Sequence, residues 1–156
     1  ISDHAINLAD QARLKHNANK AFTEEAMQDL RIYKRAVEEI VSKMDSTFTD
    51  PEARHLVYIS PLEDRINELH SSFSYRHIER VKKGLCNMEN GMIISEIYNN
   101  LERIADHCSN IGVYRIQFTA EKYRTHEYEK QLDKSQEYYR SIYDNYKIQY
   151  AIADDN

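Results

Sequence analysis

The chain has 156 residues, a length that allows one domain able to bury its own core. Its 21 Lys and Arg residues against 26 Asp and Glu residues give a net charge of −5, and no basic run exceeds two residues, so nucleic acid is excluded as a partner. The mean hydropathy is −0.78 and apolar stretches are short, so the sequence predicts neither a membrane span nor a secretory signal.

Turn-forming residues are scarce, with 3 Gly and 2 Pro, whereas good helix formers are plentiful. An all-α fold is therefore predicted. The two cysteines, Cys86 and Cys108, lack CxxC spacing and are typical of free thiols in a reducing compartment, which favours the cytoplasm. The chain starts at Ile rather than Met, which predicts a piece of a larger protein.

Hydrophobic spacing predicts four long helices near residues 1–17, 22–47, 51–83 and 88–118, and a shorter helix in the tail. Thr23 is an N-cap candidate for the second helix, and Asp50 with Pro51 marks the start of the third. Pro61 should kink the third helix or split it after Ile59, and Gly84 should end it. The connections are short, so the helices should form an antiparallel up-and-down bundle.

The fourth helix carries a heptad-like seam, with apolar residues spaced 4, 3, 4 and 3 apart. This seam and the apolar faces of the second and third helices predict a buried core of Leu30, Val37, Leu62, Ile66, Leu69, Phe73, Ile97, Leu101, Ile104, Cys108 and Ile111. Beyond Ala120, a Tyr-rich charged tail predicts either an amphipathic helix that packs on the bundle or a partner, or a frayed extension.

One phrase occurs twice: "ISDHAINL" at Ile1–Leu8 and "IADHCSNI" at Ile104–Ile111. Both copies place Asp and His at the third and fourth positions and Asn at the seventh. On a helical wheel the side of the fourth helix opposite its apolar seam carries a row of side chains with carboxylate or amide oxygens, called the stripe below. The first helix carries two side chains at the equivalent positions. The stripe consists of Glu102, Asp106 and Asn110, and the pair is Asp3 and Asn7.

Any one acidic pair on a helix is most often an ordinary solvated face. A solvated face gives no reason for the same residue types to recur at the same offsets, whereas coordination of a hard or borderline cation does. His4 and His107 lie on the flank of the stripe, a position more typical of a contact with a neighbouring helix than of a metal ligand. The sequence has no Gly-rich phosphate loop, no GxSxG and no HExxH, so it does not predict an enzyme.

The stretch "NNLERIADHCSNI", Asn99–Ile111, closely resembles the phosphate-uptake regulator (PhoU) family, whose repeated three-helix units carry L-E-R-[IL]-x-D-x-x-x-N-[IL]. Glu102 and Asp106 match the acidic positions that hold iron or zinc clusters in some members. Asp3 and Asn7 match the second half of the phrase, and the Glu-Arg that should precede Ile1 is missing. The resemblance therefore implies metal sites at Glu102, Asp106 and Asn110 of the second copy and at Asp3 and Asn7 of the first.

Two further stretches resemble the same family. "LEDRINELH" at Leu62–His70 is similar to the phrase of the preceding helix, with Glu63 and Asn67 at its acidic positions and Asn replacing Asp. "RHIERVKKGLC" at Arg76–Cys86, with the Tyr-rich tail, resembles the PhoU-like cytoplasmic domain fused to bacterial sodium/phosphate cotransporters. Roughly residues 1–117 carry the resemblance.

By this resemblance the chain is a PhoU-like tandem of three-helix repeats whose first repeat is truncated. Residues 1–17 would be the last helix of repeat one and residues 22–118 repeat two. The domain prediction is a bundle over residues 1–120 followed by a Tyr-rich tail over residues 121–156. The parent protein is expected to read Glu-Arg before Ile1 and to carry hydrophobic segments of about 20 residues further upstream.

The function that the resemblance implies is regulation of phosphate uptake by a cytoplasmic domain of a sodium-dependent phosphate cotransporter, without catalysis. The expected location is the cytoplasmic side of the inner membrane. The expected partner is the membrane domain of the same cotransporter or a phosphate transporter, and a homodimer could cover the exposed seam of the first helix. The alternatives are a metal-free helical interaction module and a free-standing PhoU-type regulator.

Overall fold

A computed structural model describes residues 1–17, 21–49, 54–123 and 136–152, except for the side chains of Arg54 and of 116–123. Five α-helices and one 3₁₀ helix make up this part of the chain. In chain order they are α1 (Ser2–Asn17), α2 (Glu24–Thr49), the 3₁₀ helix (Arg54–Tyr58), α3 (Ile59–Lys82), α4 (Met88–Tyr123) and α5 (Glu137–Gln149). The described residues include no strand. The predicted all-α class is confirmed.

Helix ends follow the local chemistry of the sequence. The Ala26 amide donates a hydrogen bond of 3.2 Å to the Thr23 hydroxyl, so the predicted N-cap of α2 is confirmed. Gly84 takes a positive φ of 70°, and its amide donates to the Val81 carbonyl just past the end of α3. Because positive φ is strained for residues with a Cβ, glycine is the residue that suits this stop.

The third helix is shorter than predicted. The chain forms a 3₁₀ turn up to Tyr58, and α3 begins at Ile59, so Pro61 lies in the first helical turn. A proline there costs no hydrogen bond, because the first-turn amides have no partner inside the helix. The split, rather than a kink within a longer helix, is therefore the observed outcome. The predicted start at Asp50 and Pro51 lies outside the described residues.

Three helices, α2, α3 and α4, pack against one another, α1 packs on α4, and α5 packs on α3. At the centre, the rings of Tyr33, Phe73 and Tyr98, one from each of the three helices, meet with centroids 5.7 to 6.2 Å apart. All three side chains are buried. The start of α2 pairs with the end of α3 through Asp29 and Arg80, and the end of α3 contacts the start of α4 through His77 and Gly91. These successive helices are therefore antiparallel, as predicted.

Most of the predicted core is confirmed, and the buried members are Val37, Leu62, Ile66, Leu69, Phe73, Ile97, Leu101, Ile104 and Cys108. The prediction was wrong for Leu30 and Ile111, which are half-buried. Leu30 lines a groove between α1 and α2 that no described residue fills. Ile111 lies one turn beyond His107, the residue that the start of α1 contacts, so α1 does not extend over it.

Charged residues are buried where α2 meets α3. The Asp29 carboxylate lies 2.8 Å from the Arg80 guanidinium and 3.6 Å from that of Arg76, and Asp29 is 2% exposed. Removing one partner of such a pair leaves a charge without compensation in a poorly solvated place, which costs more than the intact pair contributes. The pair therefore fixes how the two helices align.

The tail helix α5 packs on the bundle, one of the two arrangements that its amphipathic pattern predicts. The Tyr139 hydroxyl donates to Asp64 at 2.7 Å, and the Tyr143 hydroxyl donates to Glu68 at 2.8 Å. Tyr139, Ile142 and Tyr146 are buried.

The division of the chain at residue 120 stays a prediction. Among the described helices, none combines the length and apolar composition needed to cross a bilayer.

Acid should loosen the contact between α5 and α2. Partial burial alone would raise the pKa of Glu39, but hydrogen bonds from Tyr150, Lys43 and Gln149 outweigh it and lower that pKa. A lowered folded-state pKa gives stability that is present above the unfolded value, near 4.3, and is lost as pH falls through the folded value. We expect the melting temperature to fall between pH 5 and 3, and to fall less in Glu39→Gln. Parallel curves for the two proteins, measured by circular dichroism, would contradict this role for Glu39.

Candidate functional site

The acidic stripe of α4 faces away from the apolar seam of the same helix. Glu102 and Asp106 are half-buried and Asn110 is exposed, whereas Leu101, Ile104 and Cys108 are buried. The 3.6-residue period produces this separation, because residues four apart return to nearly the same side. The stripe is thus open to ligands or partners along one edge of the bundle.

The edge that α3 and α4 share collects the other predicted acidic positions. His70 on α3 lies 3.4 Å from the Asn99 side chain on α4, and these antiparallel helices keep one register along their length. Because the helices are antiparallel, three residues back from His70 along α3 corresponds to three residues forward from Asn99 along α4, which places Asn67 opposite Glu102. Seven residues in the same directions place Glu63 opposite Asp106. Four sequence-predicted residues therefore lie along one edge.

Within this edge, the Asn67 amide donates a hydrogen bond of 2.5 Å to the Glu63 carboxylate. The amide thereby leaves its own oxygen as an acceptor and holds the Glu63 side chain along α3. Neutral Asn in place of a carboxylate lowers the negative charge of the edge. The edge consequently offers three carboxylates and one amide.

Tyr33 lies behind this edge in the core. Its hydroxyl is buried and has no hydrogen-bond partner among the described residues. Burial raises the pKa of Tyr33 far above its ordinary value, and the charge of Glu102 raises it further. The tyrosine is therefore a neutral hydroxyl beside an acidic edge, a feature that its apolar helical spacing alone did not reveal.

The first copy of the duplicated phrase packs against α4 rather than against the acidic edge. Ring centroids of His4 and His107, the same position in the two copies, lie 5.3 Å apart. The Asn7 amide donates to the Asn100 oxygen at 3.1 Å, and Asp3 is exposed. Because equal positions of two antiparallel helices face each other, α1 and α4 are related by an approximate two-fold axis near the two histidines.

The donor chemistry of the acidic edge suits a hard or borderline cation such as iron or zinc, since carboxylate and amide oxygens are ligands for such ions. In the described part of the chain, no three His, Cys, Asp or Glu side chains lie close enough together to hold a metal ion. An ion bound at Glu102 and Asp106 would therefore take further ligands from water or from a partner.

A groove of about 710 Å³ separates α1 from α2, and α4 forms its floor. Its lining is mostly apolar: Leu8, Ala12, Leu30, Val37, Val41, Ile97, Leu101 and Ile104, with Lys34, Glu38, Ser42 and Asp45 as its polar members. No residue of α1 is buried, and Ile6 and Leu14 are largely exposed. Apolar surface on this scale typically marks a contact with another chain or segment.

Comparison with known families identifies the family to which the chain belongs. A family model described as PhoU domain matches residues 30–114, more than half of the chain, and spans the region from α2 to α4 that holds the acidic edge. The chain therefore belongs to the PhoU domain family, which is regulatory rather than catalytic and points to a role in phosphate uptake. No curated protein and no solved structure matches the chain.

Asn100 is expected to hold α1 in place. It is 6% exposed, it accepts hydrogen bonds from α1, and its own amide donates to the Glu96 carbonyl at 2.8 Å. Asn100→Ala removes the hydrogen bonds that α1 donates to this side chain and should lower the free energy of unfolding by about 0.5–1.5 kcal/mol. Asn99→Ala, on the exposed face beside it, should change this value by about 0.5 kcal/mol or less. Equal urea unfolding curves for the two variants would contradict the role.

Proposed function

We propose that this PhoU-domain chain is the cytoplasmic regulatory domain of a sodium-dependent phosphate cotransporter. In this proposal it lies at the cytoplasmic side of the inner membrane and modulates phosphate uptake through contacts with the membrane domain. The observation that carries the proposal is the family match over residues 30–114, which includes the duplicated phrase of α4. The resemblance of Arg76–Cys86 and of the Tyr-rich tail to such fused domains supports the cotransporter rather than another transporter.

The chemistry of the edge supports a binding role. Its half-buried carboxylates have no activated nucleophile beside them in the described residues, because Cys108 is buried in the core and burial raises the pKa of its thiol to about 11. The carboxylates of Glu102, Asp106 and Glu63 can instead bind a cation or a basic partner surface. We propose that iron or zinc binds there, with Asn67 and Asn110 as further oxygen donors, and that the first-copy residues Asp3 and Asn7 form a second, similar site on α1.

A free-standing regulator that acts on a separate phosphate transporter has the same domain, so it remains the alternative to the fused form. The groove between α1 and α2 favours a second candidate, a metal-free interaction module. Its apolar floor suits a helix of a partner, and a second copy of the chain could supply that helix in a homodimer. In this candidate the acidic edge serves only as a docking surface.

Neutralising the edge should change regulation of uptake without unfolding the domain. We expect Glu102→Ala with Asp106→Ala, made in the full-length gene, to alter sodium-dependent phosphate uptake by cells of the source organism severalfold. The matched control is Glu89→Ala with Glu96→Ala, which removes two exposed carboxylates of α4 outside the stripe. Uptake is measured with labelled phosphate in sodium medium and in choline medium. An effect confined to sodium-independent uptake would favour the free-standing regulator, and no effect in either medium would overturn the proposal.

Metal binding should stabilise the domain, because a cation relieves repulsion among the carboxylates of the edge. By mass action the gain is about 2.7 kcal/mol when free metal is a hundredfold above the dissociation constant. We expect iron or zinc salts to raise the melting temperature of wild type and of Glu96→Ala, and to raise that of Asp106→Ala less. Nickel and calcium salts are run alongside. Equal shifts in all three proteins, or no shift with any ion, would leave the edge as a docking surface.

A further inference from the structure

We propose that His4 and His107 together bind a borderline transition-metal ion such as Zn²⁺ between α1 and α4, at a nitrogen site distinct from the oxygen ligands of the acidic edge. The inference goes beyond the proposed regulatory function and does not depend on it. It rests on the hydrogen-bond network of Asn100, the spacing of the two rings and the position of the site between two helices.

Asn100 determines which nitrogen of His4 is free. The Asn100 amide nitrogen donates to the Glu96 carbonyl at 2.8 Å, so its oxygen is the atom that faces α1. That oxygen accepts from the Asn7 amide and lies 2.9 Å from Nδ1 of His4. An amide oxygen cannot donate a hydrogen bond, so Nδ1 of a neutral His4 must carry the proton. Nε2 therefore keeps a lone pair that can bind a metal.

This arrangement is the one that metal-binding histidines use. Their second ring nitrogen usually donates to a carbonyl or carboxylate oxygen, which fixes the tautomer and the orientation of the ring. The Asn100 oxygen fills that role for His4, and Asn100 is itself held by two further hydrogen bonds and is almost fully buried. The ring is thus oriented before any ligand binds.

The spacing of the two rings fits one shared ion. Ring centroids of His4 and His107 lie 5.3 Å apart, with the planes tilted by 34°. Two imidazoles that bind one zinc ion at about 2.0–2.1 Å in tetrahedral geometry place their ring centres about 5 Å apart. The separation of the two rings therefore matches that of two imidazoles bound to one ion.

The surroundings are suited to an exchangeable ion. Both histidines are half-buried, so water can fill the remaining coordination positions. The chain carries a net charge of −5, and an aspartate precedes each histidine, which favours a cation over an anion. Imidazole nitrogen prefers zinc, nickel and copper to calcium and magnesium, so the site should discriminate between these groups of ions.

Binding there would also attach α1 to the bundle. This helix contributes no buried residue, so side-chain contacts along α4 supply most of its attachment in the described structure. An ion held by one residue from each helix crosslinks them. The ion should consequently protect the backbone amides of α1 from hydrogen exchange more than those of α3.

The test titrates the full chain with zinc chloride and with calcium chloride by isothermal calorimetry. We expect wild type to bind one zinc ion at this site, with heat that is lost in His4→Gln and in His107→Gln and kept in the control His16→Gln, which changes an exposed histidine of α1. His107→Cys should retain zinc, because a thiolate is also a zinc ligand and a purely structural histidine would not be rescued in this way. Calcium should not compete.

Two outcomes would overturn the proposal. One is zinc binding in His4→Gln and His107→Gln equal to that of wild type, with helicity by circular dichroism unchanged. The other is zinc binding that disappears in Asp106→Ala while both histidine variants keep it, which would assign the ion to the acidic edge. The second outcome leaves the proposed regulatory function intact, so the two proposals fail separately.

Discussion

The burial of α4 on several sides at once is the constraint on which the rest of the structure depends. Three other helices, α1, α2 and α3, pack against it, and the Tyr33, Phe73 and Tyr98 cluster joins α2, α3 and α4 at their middles. Aromatic rings of this size contribute a large share of the apolar area that a small bundle buries. Because these rings fix which sides of α4 face α2 and α3, they also determine which sides of α4 are left for the acidic stripe and for contact with α1.

Polar contacts then align the helices whose apolar faces alone would allow several registers. The buried pair of Asp29 and Arg80 joins the start of α2 to the end of α3, and hydrogen bonds from Tyr139 and Tyr143 place α5 along α3. A shift of either helix by one turn would separate charged or hydroxyl groups from their partners, with the penalty of burying them unpaired. The positions of Glu63 and Asn67 opposite Asp106 and Glu102 follow from the register of α3 against α4, which the contacts of His70 and His77 with α4 indicate.

Sequence periodicity predicted most of the core, because the seam of Ile97, Leu101 and Ile104 repeats at the helical period. It also located the helices, but it placed the start of the third helix too early. It was wrong for Leu30, since a helical wheel shows which residues share a face but not whether another helix covers that face. The same limit applies to the site. The stripe of Glu102 and Asp106 is a property of one helix, whereas the roles of Asn100 and Tyr33 depend on which residue of another helix faces them.

The two-fold relation between α1 and α4 separates two reasons why the phrase occurs twice. A residue at the axis meets its own copy, so His4 and His107 recur because each shapes the surface that the other contacts. Asp3 and Asp106 face outwards, and helix pairing gives no reason for them to be alike. Pairing also treats the two asparagines differently, because Asn7 donates to Asn100 while Asn110 is exposed. Helix pairing therefore brings the two histidines together but does not explain why the aspartates recur.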